Sequence, residues 1–175
     1  MRRVIISLLL TIPLSLTVAG QSRTFSSEGL EYALDLPSPS WQAVSRVDVH
    51  EHLEFINNND YSNGYLRLRK KFVNPGATPQ DLFRYEEAWE LRRLPGYVVC
   101  SDGIGAAFEG HLKGTMFSYE YVNQGRNMDG RIYYLHVDNR TFYALHFTVS
   151  SDKLQTLRNQ IDSIAKSFRL KSATD

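Results

Sequence analysis

Apolar and polar positions alternate with two different periods along Arg131–Leu170. Two strand patterns, Arg131–Val137 and Thr141–Val149, flank the turn-forming stretch Asp138-Asn139-Arg140. Leu154, Leu157, Ile161, Ile164 and Phe168 then recur at spacings of 3, 4, 3 and 4, one continuous stripe on an α-helix. Lys153, Gln155, Asn159, Asp162 and Lys166 fall away from the stripe. Ser150 or Ser151 suits the cap and Asp152 the first turn, so a helix is predicted over about 151–168. In the second strand Tyr143, Leu145, Phe147 and Val149 share one face, with Phe142, Ala144 and His146 on the other. In the first, Ile132 and Tyr134 oppose Tyr133, Leu135 and Val137. Neither face is polar, so the sheet needs cover on both sides.

Upstream, short strands are predicted at Arg23–Phe25 and Leu30–Leu36, stopped by Pro37-Ser38-Pro39-Ser40, and then at Trp41–Arg46 and Val47–Ile56. Asn57–Gly64 is rich in Asn, Asp and Gly and reads as turn throughout, ahead of a strand at Tyr65–Val73. Thr78, Pro79 and Asp81 form a helix-start signature, and Pro95-Gly96 is the stop. The helix is thus expected over about 78–94, with Leu82, Tyr85, Ala88 and Trp89 as its buried stripe. Tyr97–Ser101, Ala106–Leu112 and Gly114–Val122 read as strands, and Gln124–Gly130 as a turn. The order predicts an α+β fold, with an antiparallel sheet covered by an early and a late helix.

The first twenty residues differ from the rest. Arg2 and Arg3 precede the apolar run Val4–Val18, with small residues at Ala19 and Gly20. This is the pattern of a secretory signal peptide cleaved after Gly20; the rival reading is an uncleaved anchor, for which the run is short against the ~20 residues of a span. Residues 21–175 are then one exported domain, periplasmic or extracellular, with no stable membrane span. Removing residues 1–20 leaves 18 basic and 19 acidic side chains, a formal charge of −1. No overall field draws nucleic acid or an anionic membrane. The one cysteine, Cys100, cannot make an internal disulfide and reads as a small buried hydrophobe.

Phe25-Ser26-Ser27-Glu28-Gly29-Leu30-Glu31-Tyr32, followed by Leu36-Pro37 and Trp41, is similar to the opening of PsbP-like proteins and their bacterial relatives. Gly105-Ala106-Ala107 and Phe117-Ser118-Tyr119-Glu120-Tyr121 resemble that family's central strands. Tyr143-Ala144-Leu145-His146-Phe147-Thr148, with the last helix and its Ser167-Phe168 ending, resembles its close. The resemblance to this Mog-PsbP superfamily spans residues 23–170. It implies an α-β-α sandwich around a central antiparallel sheet, and accessory or binding proteins rather than enzymes. It carries over no site residues.

His50, His52 and Glu54 line up on one strand face, a set able to hold a divalent metal, the one cofactor the sequence suggests. The wet face of an amphipathic strand has the same pattern. Arg67, Arg69 and Lys71 share a face of the Tyr65–Val73 strand, with Lys70 beside them. They form either a basic partner-binding face or an edge protected by charge. Gly103-Ile104-Gly105 lacks the helix that a phosphate cradle needs. His111, His136 and His146 sit in strand patterns as ordinary sheet residues. Asn139-Arg140-Thr141 matches a glycosylation acceptor. The chain has no Gly-x-Ser-x-Gly elbow, no Cys-x-x-Cys and no His-Glu-x-x-His. The expected function is an exported, non-enzymatic binding or accessory protein with a protein partner. Small-ligand or metal binding is the alternative, and an unrecognised hydrolase a distant third.

Overall fold

Two hydrophobic cores lie on the two faces of one antiparallel sheet. A computed structural model describes residues 22–44, 53–58, 60–100 and 105–171. The expected signal peptide, His50, His52 and Asp102–Ile104 lie outside the described residues.

The strands are β1 (Arg23–Phe25), β2 (Tyr32–Leu36), β3 (Trp41–Val44), β4 (Leu53–Asn57), β5 (Asp60–Phe72), β6 (Val98–Val99), β7 (Ala106–Glu109), β8 (Lys113–Asn123), β9 (Arg126–Asp138), β10 (Thr141–Ser150) and β11 (Arg169–Leu170). The helices are α1 (Pro79–Trp89) and α2 (Ser151–Ser167), with a 3-10 turn at Leu91–Arg93 after α1. The large sheet runs β3-β4-β5-β10-β9-β8-β6, and β7 pairs with the other end of β8. A small sheet, β1-β2-β11, packs on the α2 side.

The β9–β10 hairpin and α2 follow the sequence pattern. Asp138 Oδ1 accepts from the Arg140 backbone N–H at 2.8 Å and fixes the turn. On one face of β10, Tyr143, Leu145, Phe147 and Val149 pack with Leu157, Ile161 and Ile164 of α2. On the other, Phe142 and Ala144 join Ile132, Tyr134, Phe117 and Phe83. Both faces are covered, as the absence of a polar alternation requires.

Two turn assignments are corrected. Asn57–Gly64 is not turn throughout: the chain reverses near Asn58, where φ is +52°, and Asp60 already pairs with Asn57. Gly64 packs within β5, where an added Cβ would come within 3.1 Å of Trp41. Likewise the turn at Gln124–Gly130 is only Gln124-Gly125, and Arg126–Gly130 extends β9. Hairpin pairing with β4 and β8 overrides the turn-forming composition. His111 falls between β7 and β8 rather than on a strand.

α1 starts as expected. Thr78 Oγ1 accepts from Asp81 N, and Asp81 Oδ2 accepts from Thr78 N. It stops at Trp89, short of Leu94, and tightens into the 3-10 turn. Its buried stripe is also different: Phe83 and Glu86 face inward, while Tyr85, Ala88 and Trp89 face solvent. Phe83 stacks on Phe117 with ring centroids 4.3 Å apart. Glu86 is drawn inward by cationic and imidazole partners on the sheet, which rotates the apolar side chains of the next turn outward.

Candidate functional site

Thirteen-residue strands such as β5 are ~43 Å long. The 11-residue α1 is only ~16 Å long. One helix therefore cannot cover that face, and a groove of about 810 Å³ lies beyond its C-terminal end. Tyr65 and Arg67 of β5, Tyr119 and Tyr121 of β8, Met128 of β9, and His146 and Thr148 of β10 form its floor. The 3-10 turn contributes Leu91, beside Glu90 and Leu94, and the two hairpin ends contribute Asp60, Tyr61 and Arg126.

The groove is anchored on a buried charge cluster. Glu86 is 2% exposed, with Lys71 Nζ at 2.8 Å and His146 Nε2 at 3.0 Å. Burial alone would raise the Glu86 carboxyl, but His146 and Lys71 outweigh it and hold the acid well below the usual carboxylate range. Burial pushes the His146 imidazole down, against the pull of Glu86. The cluster thus sets an ionised Glu86 between Lys71 Nζ and His146 Nε2. The Tyr134 phenol lies buried beside them, and burial and the Glu86 charge push it up.

Around this base, Arg67 Nη2 reaches Glu90 Oε2 at 3.3 Å and Arg69 Nη1 reaches Glu90 Oε1 at 3.5 Å. The Tyr65 hydroxyl donates to Glu54 at 2.7 Å, and burial together with this bond raises the phenol. Tyr119 is buried and raised mainly by burial. Its ring lies across Gly130, where a Cβ would sit 2.1 Å from the Tyr119 ring. Tyr61 and Tyr65 are 5.4 Å apart, and Tyr119 and Tyr121 5.9 Å. An acid beside an imidazole, as Glu86 and His146 are, needs a neighbouring nucleophile before it can act as a relay. Among the described residues no serine or cysteine lines the groove, and Thr148 hydrogen-bonds Tyr121.

The expected basic face is divided by the sheet. Arg67, Arg69 and Lys71 point to the α1 side and meet Glu90 and Glu86, and Arg67 lines the groove. Lys70 points to the opposite side, paired with Glu31 and 5.2 Å from the Phe72 ring centroid. Of the metal set only Glu54 is described; it accepts from Tyr65. Among the described residues no group of three or more His, Cys, Asp and Glu is placed to hold a metal. Cys100 is half-buried rather than fully buried, with Sγ 3.7 Å from Glu120 Oε1.

The groove residues escape sequence reading because they come from four separate stretches, each an ordinary strand or turn. Glu86 carries a local signal, an acid one helical turn from Phe83 on the inward stripe.

No protein-family model matches the sequence, and no curated protein matches it. Solved structures do match. The chain is similar to cyanobacterial PsbP (CyanoP) from Synechocystis sp. PCC 6803 at 13% identity and a TM-score of 0.59, covering 93% of this chain and 99% of that one. LpqN of Mycobacterium tuberculosis, involved in cell envelope biogenesis, matches at 16% identity and TM-score 0.57, covering 87% and 91%. The Saccharomyces cerevisiae Ran-binding protein Mog1p matches at 7% identity and TM-score 0.61, covering 89% and 98%. An antiparallel sheet between helices, with a groove on the half-covered face, places the chain in the α+β sandwich class. Its fold is that of the PsbP/Mog1 group.

Proposed function

We propose that the chain is an exported, non-enzymatic binding protein that docks an envelope or protein-complex partner in the groove beside α1. The observation that carries this reading is the groove itself. Four tyrosines and the Arg67–Glu90 pair line a concavity of about 810 Å³. Tyrosine and arginine supply large contact areas with polar tips, the side chains that dominate binding hot spots. Mog1p, one protein of this fold, is Ran-binding, and LpqN is involved in cell envelope biogenesis. On this reading Arg67 is the part of the basic face that meets the partner, while Arg69 and Lys71 hold α1 in place.

The volume also lies within the ~300–1,000 Å³ range of small-ligand pockets, which supports a small-molecule occupant as the second reading. A photo-crosslinking residue in place of Tyr61, activated in cells, separates the two. An adduct of protein mass at Tyr61, absent when the same residue replaces the distant Glu28, is the expected result. An adduct of small-molecule mass selects the second reading. Equal labelling at both positions refutes the groove as the binding site.

A further inference from the structure

The outward face of α1 carries aromatic rings together with both signs of charge. Tyr85 is 65% exposed and Trp89 58% exposed, one helical turn apart with ring centroids 6.3 Å from each other. Large rings this open on an ordered helix are the informative exception on a protein surface. Asp81, Arg84 and Ala88 are exposed along the same side, and Arg92 continues it in the 3-10 turn. The charged groups are held only loosely within the chain. Asp81 gives Oδ2 to the Thr78 cap and leaves Oδ1 outside it. Arg92 meets Glu87 at 3.4 Å with 67% of its side chain still exposed. The order of these residues is self-complementary. About the point midway between Tyr85 and Ala88, Asp81 mirrors Arg92, Arg84 mirrors Trp89, and Tyr85 mirrors Ala88. Acid thus answers base, cation answers indole, and a large ring answers a small side chain.

We propose that this face pairs with the same face of a second copy of the chain, helix against helix and antiparallel. A two-fold axis sets the same patch against itself, so residue i meets j and j meets i. That is the mirrored order found here, and a partner of different sequence would not require it of both halves of the face. In the pair, Tyr85 packs on Ala88 of the second copy, whose small side chain lets the helix axes approach. Arg84 lies over the Trp89 indole of the second copy, the ring that best receives a cation. Asp81 meets Arg92 of the second copy at each end. The contact is small: the 11-residue α1 is only ~16 Å long. Two such faces fall short of the ~1,200 Å² of a standard interface, so the dimer is weak and forms with rising concentration. This assignment stands apart from the groove and does not depend on what the groove binds.

Sedimentation equilibrium of the full chain, carried up to about 500 μM, measures the association. The expected result is a monomer–dimer equilibrium. Ala88→Arg puts a long cation at the centre of the contact and should abolish it. Arg92→Glu sets an acid against Asp81 of the second copy and should weaken it by about tenfold or more. Both positions are exposed, and an unchanged urea midpoint in each variant reports an intact fold. The apolar run Val4–Val18 is common to every variant, so a difference between them reports α1. The register has its own test. Arg92→Lys keeps the charge and supplies an amine that a carbodiimide can join directly to a carboxylate. Within one chain, positions 81 and 92 lie ~16 Å apart along the helix direction, too far for such a bond. A cross-linked peptide joining Asp81 to position 92, found only in the dimer band, is therefore the expected product. A monomer at every concentration overturns the proposal, as does dimerisation of equal strength in Ala88→Arg. A dimer that forms without the cross-link between positions 81 and 92 overturns it too, and assigns the association to another face.

Discussion

Glu86→Gln tests the buried charge cluster most directly. The substitution keeps the shape of the side chain but removes the charge facing Lys71 at 2.8 Å and His146 at 3.0 Å, at a site 2% exposed. Breaking a buried pair by removing one partner costs about 3–5 kcal/mol, and the partial exposure of Lys71, 23%, sets the loss at the lower end. A domain of this size is stable by about 5–15 kcal/mol, so the loss shows plainly as a lower urea midpoint. Glu87→Gln, the adjacent position, is the control. Its partner Arg92 is 67% exposed, and an exposed pair contributes about 0–1 kcal/mol. The pH dependence has a defined sign. Glu86 is depressed in the folded state, so its contribution is present above its unfolded value and declines as pH falls below about 4.5. His146 is depressed too, so the unfolded chain binds its proton first, and stability falls as pH drops below about 6.5. Besides Glu86, the charges facing His146 are Arg67 and Lys71, both of which oppose its protonation. Wild-type stability should therefore decline in two steps on acidification, and Glu86→Gln should lose the lower one. Equal, small effects of Glu86→Gln and Glu87→Gln at pH 7 would refute the assignment of the cluster as the anchor of α1.

Other substitutions probe the core and the groove. Ile161→Ala, at a site 1% exposed, should cost about 2–5 kcal/mol in denaturant melts, while Lys166→Ala should stay within about 0.5 kcal/mol. Gly130→Ala drives a methyl group into the Tyr119 ring; it should cost about 1–3 kcal/mol and weaken crosslinking from position 61 by displacing the groove floor. Calorimetric titration of zinc into wild type and His52→Ala tests the proposed metal set of His50, His52 and Glu54; equal affinities refute it.

What the sequence made legible follows from the range of each interaction. The α2 stripe is a local pattern on one face of one helix, and Leu157, Ile161 and Ile164 are buried as the 3.6-residue period requires. The two-sided hairpin was equally readable, because covered faces leave no polar alternation. α1 misled for a physical reason. Its inward face is fixed by a carboxylate meeting Lys71 and His146 from two different strands, and its spacing from Phe83 alone does not mark that acid as buried. Asn57–Gly64 misled because its composition favours turns while its pairing is decided by β4. The groove was not readable at all, since it arises where long strands outrun a short helix.

The small sheet constrains the order in which the chain can fold. β2 pairs with β1 beside it, but its other edge is filled by β11: Arg169 pairs with Ala33 and Leu170 with Tyr32. Ser167 Oγ accepts from the Asp35 backbone N–H across 132 positions, and the Lys171 backbone N–H reaches Glu31 O at 2.8 Å. Tyr32, fully buried, stacks on Phe168 with centroids 5.2 Å apart. These contacts close a loop spanning most of the chain, and such closures give slow folding because their entropic cost precedes their reward. Synthesis proceeds from the N-terminus, so Tyr32–Leu36 waits with one edge open until Arg169–Leu170 has been made. The second edge of β2 is filled only once Phe168–Leu170 is available to it.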